Sequence, residues 1–373
     1  MSKNINEIPV TELTERVQEL TRAADNSFAK IRGVITDIYT REIPAKWDWN
    51  FLMVESSITT TAEYHAGNAS INTGSTVVTA GGGAVFAAEM NGRKMTFAGN
   101  PTTYDITYGD STGVIITPAL QGDQNITNGS YSIFQPMYSL ASNFDRFPKP
   151  GGVYRWVGGR KQVLPEVQYA NYVSDYYNAT ASTPDRTRIF GTDTLGNNLL
   201  EFVPAPKDTK VYGYEYLKYV TPLFETTAGT ISSIAATDRT VTLSGIPEMA
   251  TIATDGSCFF RVDQFGTGEN STWYRILATS DTNQLTIATA FANTSVTAGA
   301  SFTIAQAPLF PPRMHIGVLY GACRQLTIDQ NDPNAEFYNA QYMQTLQDAK
   351  KIYVSRPYSQ DVDGVFTDYR YRR

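Results

Sequence analysis

One stretch of this chain is written twice. Asp110-Ser-Thr-Gly-Val-Ile-Ile-Thr-Pro-Ala-Leu continues to Ser130-Tyr-Ser-Ile-Phe-Gln135, and Asp281-Thr-Asn-Gln-Leu-Thr-Ile-Ala-Thr-Ala-Phe continues to Ser301-Phe-Thr-Ile-Ala-Gln306, with the same separation between the two pieces in both copies. Upstream, Tyr104-Asp-Ile106 answers Tyr274-Arg-Ile276 with a one-residue shift, and Gly92 followed by Phe97 answers Gly256 followed by Phe260. Earlier still, Thr76-Val-Val-Thr79 resembles Thr240-Val-Thr-Leu243. Self-similarity of this kind means that one supersecondary unit is used twice. The repeated runs are short, rich in Thr, Val and Ile, and separated by Asn-Gly, Gly-Gly or Asp-Thr turn signals, which is the pattern of hairpins. Each copy is therefore expected to be a small all-β sandwich or barrel of the Ig-like kind with about six strands, over 62–135 and 225–306.

From Pro308 to Tyr353 the period changes from two to between three and four. Asp332-Pro333 offers a side-chain acceptor at an N-cap and a proline at the first helical position, where its missing N–H costs nothing. Tyr338, Tyr342, Leu346, Ala349 and Tyr353 then fall on one helix face, with Gln341, Gln344, Gln347 and Asp348 largely on the other. A preceding helix starts after Pro311-Pro312 and carries Met314, Val318, Leu319, Ala322, Cys323 and Leu326. Gly317 and Gly321 lie one turn apart in it, which suggests close approach of another backbone. Near the N-terminus, Thr11 is the expected N-cap, with Glu12 and Glu15 near the positive end of the helix dipole. Leu13, Val17, Leu20, Ala24, Phe28, Ile31, Ile35 and Ile38 keep helical spacing for about seven turns. One long helix, or two kinked at Gly33, is expected to end before Pro44. Trp47, Trp49 and Phe51 follow on alternate positions, as in a first strand or an aromatic packing patch.

Between the repeats, Pro204-Ala-Pro206 forces a turn, after which Tyr212, Tyr214 and Tyr216 alternate along a strand with two distinct faces. Phe144, Phe147, Tyr154, Trp156, Val163, Leu164 and Phe202 supply that segment with a core. The expected fold is α+β. Residues 1–61, 136–224 and 307–354 form one core of a helical bundle plus a β domain, the two β modules are inserted into it, and 355–373 is a tail.

Chemical sites fail one by one. Two cysteines, Cys258 and Cys323, lack partners at metal-ligand spacing and read as reduced packing residues. The two histidines, His65 and His315, have no nucleophile or ligand pattern beside them. Gly81-Gly-Gly83 lacks the Lys-Ser/Thr of a phosphate loop and sits between strands, and Gly158-Gly-Arg-Lys161 reads as a solvated turn. Asp361-Val-Asp-Gly364 starts like a calcium loop, but no Glu follows at the required spacing. No catalytic, cofactor or metal residue is expected, and the chain is not expected to be an enzyme. A net charge of −6 argues against general affinity for nucleic-acid phosphates, while leaving a conduit wall to which DNA does not stick. No apolar run is long enough to cross a bilayer, and Met1 to Pro9 is too polar for a signal peptide, so synthesis in a cytoplasm is expected.

Several motifs together carry a resemblance: the long N-terminal helix closing on Trp47-Asp-Trp-Asn-Phe51; Tyr138-Ser-Leu140 leading to Asn143-Phe-Asp-Arg146; the Pro204-Ala-Pro-Lys207 turn; and Arg313-Met-His-Ile-Gly-Val-Leu-Tyr-Gly-Ala322 before Asp332-Pro-Asn-Ala-Glu-Phe-Tyr338. The chain resembles the head-to-tail adaptor proteins of tailed bacteriophages, the broad group that includes tail tubular protein A, over most of its length. Ala141 departs from the family, which commonly has proline after the leucine.

The resemblance implies a virion protein that forms a ring, usually dodecameric, beneath the portal. Its partners would be other copies of itself, the portal protein, and tail or neck proteins, with DNA passing through unbound and no membrane involved. It also implies that the C-terminal tail docks into the portal. Tyr369, Arg370, Tyr371, Arg372 and Arg373 are the candidate contacts, pairing guanidinium groups with partner carboxylates and stacking Tyr rings on apolar surface. From the residues alone, a solvated terminus is equally open. The alternative function is a receptor- or carbohydrate-binding virion protein that uses the paired β modules, which exposed aromatic clusters on the module loops would support.

Overall fold

The computed structural model describes residues 7–21, 27–149, 151–167, 181–245, 252, 257–265, 272–280 and 283–354. They form a mixed α+β structure, mostly β sheet with a few helices. The described residues divide into two compact units, one of residues up to 51 together with 219–354, the other spanning 52–218.

The first unit holds the helices. α1 (Val10–Thr21) and α2 (Phe28–Asp37) replace the expected continuous helix, and α2 starts from Ser27, whose hydroxyl accepts the Lys30 N–H. Gly33 sits inside α2 with open space around it. Thr11 lies within α1 rather than capping it, because Leu13 already donates to the Pro9 carbonyl. The helical path also runs past Pro44. A π-turn at Ile38–Glu42 leads into a last turn, α3 (Ile43–Lys46). Proline in an ordinary α-turn collides with the carbonyl four residues back, and the wider π-turn relieves that collision.

α4 (His315–Asp329) and α5 (Ala335–Tyr353) form a helical hairpin, and α4 also packs on α1 and α2. The expected face of α5 is the buried one, with Tyr338, Tyr342, Leu346 and Ala349 inside. Its start is displaced: Asp332 folds into a tight turn, its carboxylate accepting the Asn334 N–H at 2.8 Å, and the helix begins at Ala335. The local side-chain turn competes with the helical N-cap and wins. Gly321 does mark a close approach, although by side chains: a Cβ there would lie 2.9 Å from Ile38 Cγ2 and 3.0 Å from the Tyr342 ring.

In the second unit, β1 (Met53–Thr59) follows the tryptophan-rich segment directly. Seven strands come next: β2 (Asn68–Ile71), β3 (Val77–Gly81), β4 (Lys94–Phe97), β5 (Asn100–Asp110), β6 (Gly113–Thr117), β7 (Ile126–Gly129) and β8 (Tyr131–Phe134). They pair in the order β7-β2-β3-β6-β5-β4-β8. The outermost strands β7 and β8 are joined by the single residue Ser130, which spans only about 3.5 Å, so the sheet must roll until its ends approach. β9 (Met137–Ser139), β10 (Phe144–Arg146), β11 (Val153–Val157), β12 (Arg160–Val163), β13 (Arg186–Thr192), β14 (Asn198–Val203) and β15 (Val211–Lys218) complete the unit. β15 is central, paired with β1, β10 and β11, and it buries Tyr212, Tyr214 and Tyr216 on its inner face as the alternation predicts.

Trp156 departs from expectation. It is 66% exposed rather than in the core. Its neighbour on the same face of β11, Tyr154, takes the available space by lying across Gly213, where a Cβ would come within 2.3 Å of the ring.

The second repeat lies in the first unit: β16 (Glu225–Thr226), β17 (Thr230–Ile234), β18 (Thr240–Ser244), β19 (Cys258–Val262), β20 (Tyr274–Ser280), β21 (Gln284–Ile287), β22 (Val296–Ala300) and β23 (Phe302–Gln306). Read from β22, the order is β22-β17-β18-β21-β20-β19-β23-β16. This is the order of the first repeat with one strand added, and even that strand has a counterpart in the isolated bridge Tyr64↔Ile133. Registers agree as well. Met95 lies between Tyr104 and Ile133 as Phe260 lies between Tyr274 and Ile304. The Tyr104 hydroxyl accepts the Gln121 N–H, and the Tyr274 hydroxyl accepts the Ala292 N–H.

Pairing corrects the sequence match at two places. Val78, opposite Val114, is the counterpart of Val241, opposite Leu285, one residue from the match that Thr76 and Thr240 suggest. Phe97 answers Val262 rather than Phe260.

Candidate functional site

Helix junctions in the first unit gather its polar and aromatic side chains. Glu42, carried by the π-turn, receives both ends of the Arg324 guanidinium, at 3.0 and 2.6 Å, and the Tyr342 hydroxyl at 3.1 Å. Burial raises the Glu42 pKa, but hydrogen bonds and charge from Arg324, with Tyr342 and Lys46 adding to them, outweigh it and hold the carboxyl below its usual range. Arg324 also lies over the Tyr342 ring. The network ties the N-terminal helices to both C-terminal ones.

Beside it, Trp49 is fully buried, donates its indole N–H to the Ile43 carbonyl at 2.7 Å, and packs between Trp47 and Phe51. Phe51 continues to Phe310 and Tyr353. The aromatic triplet is thus a packing patch, and Val354, where the tail leaves, bridges to the Trp49 backbone. Tyr39 accepts the Leu309 N–H, and burial pushes its hydroxyl up to about 12.

The module of β16–β23 is fastened to these helices by charge. Arg261 on β19 donates from Nη1 to both carboxylate oxygens of Glu15 of α1, at 2.9 and 3.0 Å, turns its Nε to Asp263 at 3.2 Å, and stacks on Trp273. Glu225 on β16 accepts from Thr11 at 2.6 Å and pairs with Arg32 of α2 at 2.6 Å, and Arg275 on β20 pairs with Glu7.

His315 is a buried fastener. Its Nδ1 accepts the Ile8 N–H at 3.0 Å, which leaves the proton on Nε2 to be donated to the Phe310 carbonyl at 3.0 Å. Burial holds it below its ordinary pKa, while the Phe310 and Pro308 carbonyls and the charge of Glu7 pull the other way. A histidine kept neutral in the fold contributes stability in full above its unfolded pKa of about 6.5 and loses it as pH falls below that value. Stability measured by denaturant unfolding is expected to decline from pH 7 to pH 5 more steeply in the natural chain than in His315→Gln; equal slopes contradict this role.

The other sequence candidates do not converge. His65 lies in an exposed loop, Gly82 and Gly83 turn after β3, and Gly158-Gly159 is a two-residue hairpin turn. Both cysteines are buried and neither is in a disulfide, and burial pushes the Cys323 thiol up to about 12. Among the described residues no three or more His, Cys, Asp or Glu side chains are grouped around a common point, and no helix is long and apolar enough to cross a membrane. Tyr369, Arg370, Tyr371, Arg372, Arg373 and the Asp361–Gly364 run lie outside the described residues. The Glu42–Arg324 and Glu15–Arg261 pairs were missed by sequence reasoning, because partners separated by more than two hundred residues leave no local signal.

One helix surface remains uncovered. Opposite its buried side, α5 presents Phe337, Ala340, Met343, Gln344 and Gln347 at helical spacing, with Phe337 56% and Met343 38% exposed. Ile328 near the end of α4 and Leu20 near the end of α1 are exposed as well. No model of a known protein family matches the chain, and no curated protein matches it.

Proposed function

We propose that the protein is a structural virion component of a tailed bacteriophage, a head-to-tail adaptor whose copies form a ring, dodecameric by resemblance, that joins the portal to the tail and lines the DNA channel. The observation that carries this reading is the uncovered face of α5. Between Glu336 and Lys351, which lie on the same face, this helix presents an uncharged stretch of Phe337, Ala340, Met343, Gln344 and Gln347 with its two large apolar side chains exposed. In the proposed ring, α1, α2, α4 and α5 act as a helical bundle whose outer stripe packs against the next copy. Many modest contacts then act together on closure. The two β modules, taken as Ig-like sandwiches or barrels, extend the rim toward neck or tail proteins. A net charge of −6 suits a wall along which DNA slides without binding. No cofactor, metal or catalytic step enters.

Support for the docking tail comes from its root. Val354 is held against Trp49, so residues 355–373 start from a fixed point. Deleting 355–373 is expected to abolish binding to the portal while leaving the unfolding midpoint unchanged; undiminished portal binding by the truncated chain contradicts the docking role. The receptor- or carbohydrate-binding alternative calls for exposed aromatic side chains on the modules. Among the described module residues no Phe, Tyr or Trp is exposed, so no observation favours it.

A further inference from the structure

The two β modules share strand order and register, so each serves as a comparison for the other. In the second module, the outward face of β19 and β23 is covered by α1: Arg261 is 4% exposed and Thr303 2%, and the neighbouring Phe259 is buried. The counterparts follow from the pairing. Thr96 pairs with Ser132 as Arg261 pairs with Thr303, and Lys94 pairs with Asp105 as Phe259 pairs with Arg275. Tyr64 meets Ile133 as Thr226 meets Ile304, which makes Glu63 the counterpart of Glu225.

In the first module that same face is open around Thr96 and Ser132, while Phe134, the counterpart of Ala305 on it, is buried. Thr96 and Ser132 are half-buried, Ala98 and Ser130 are exposed, and they border an open depression of about 470 Å³. Its charges differ in a directed way. Glu63 is retained and turns onto Ser132 of its own module, whereas Glu225 reaches out to Thr11 and Arg32. Arg261, which holds Glu15, is replaced by Thr96. Arg275, which holds Glu7, is replaced by Asp105, an exposed carboxylate paired with Lys94.

We propose that the outward face of β4 and β8 is a docking site for an amphipathic α-helix of a partner protein, seated as α1 is seated on the second module. Charge complementarity sets what that helix carries: a hydroxyl or guanidinium facing Glu63, as Thr11 and Arg32 face Glu225; a small uncharged side chain where α1 has Glu15; and a basic residue where the segment before α1 has Glu7. A second copy's α1 is thereby disfavoured, because its Glu7 would meet Asp105 and its Glu15 would meet Thr96 where the second module offers Arg261. The site is independent of ring formation.

The test uses the full chain and two hydrocarbon-stapled peptides, because an unsupported helix of this length is marginal in water. One peptide has the sequence of Glu7–Thr21; the other carries Glu7→Lys and Glu15→Ala. The altered peptide is expected to bind about tenfold more tightly by fluorescence anisotropy and to slow amide exchange in β4 and β8. Asp105→Lys, an exposed change checked for unaltered unfolding, is expected to remove that preference. Equal binding of both peptides, no protection of β4 and β8, or protection confined to β19 and β23 overturns the proposal.

Discussion

Replacing Trp49 by alanine is expected to lower the unfolding free energy of the helical unit by about 3–5 kcal/mol, the range for removing a large aromatic side chain from a closed core. The ring is fully buried, and its indole N–H supplies a 2.7 Å hydrogen bond to the Ile43 carbonyl, so truncation leaves both a cavity and an orphaned acceptor. Trp47 and Phe51 lose a packing partner in the same step, and Phe51 is the ring on which Phe310 and Tyr353 pack. Trp49→Phe keeps most of the contact area and is expected to cost less than half as much. Denaturant unfolding followed by circular dichroism measures both. A loss below about 1.5 kcal/mol for alanine, well under that range, would mean that the aromatic patch is peripheral.

Arg261→Ala is expected to be comparably severe, about 3–5 kcal/mol, because it removes the guanidinium nitrogen that meets both oxygens of the Glu15 carboxylate in a nearly closed interface. Removing both charges with Glu15→Leu and Arg261→Leu is expected to cost less than the sum of the single changes, since the penalty lies in stranding one charge rather than in losing attraction. Amide exchange adds a spatial readout: in Arg261→Ala, protection is expected to fall in α1 and along β19 and β23 while β2–β8 stay unchanged. Additive effects, with no loss of protection in α1, contradict a fastening role for the pair.

What could be read from the chain follows the range over which each signal acts. The buried face of α5 was legible because Tyr338, Tyr342, Leu346 and Ala349 repeat at helical spacing within one element. The duplication was legible because matching runs recur at constant separation. Its register was not, since Thr76-Val-Val-Thr79 carries valine at both central positions, and a slip of one residue exchanges inside for outside. Pairing puts Val78 inside and leaves Val77 exposed.

Apolar spacing through Leu20, Ala24, Phe28 and Ile31 suggested one helix, although Ser27 is a capping residue and Phe28 is half exposed. Pro44 read as a stop because a π-turn, which lets the helical path continue, has no sequence signature of its own. Trp156 read as core because hydrophobicity cannot show that Tyr154 already occupies the space above Gly213. The fasteners were invisible for another reason: Glu15 and Arg261, or Glu42 and Arg324, become neighbours only once the chain has folded. The proposed function rests on the uncovered face of α5 and on the resemblance.

The mass of the purified chain by light scattering, alone and mixed with the portal protein proposed as its partner, tests the ring directly. A closed dodecamer of 41.2 kDa chains weighs about 490 kDa; that species, free or formed on the portal, is the predicted result, and Phe337→Glu with Met343→Glu is expected to prevent it without unfolding the chain. A monomer or small oligomer that ignores the portal would contradict the account.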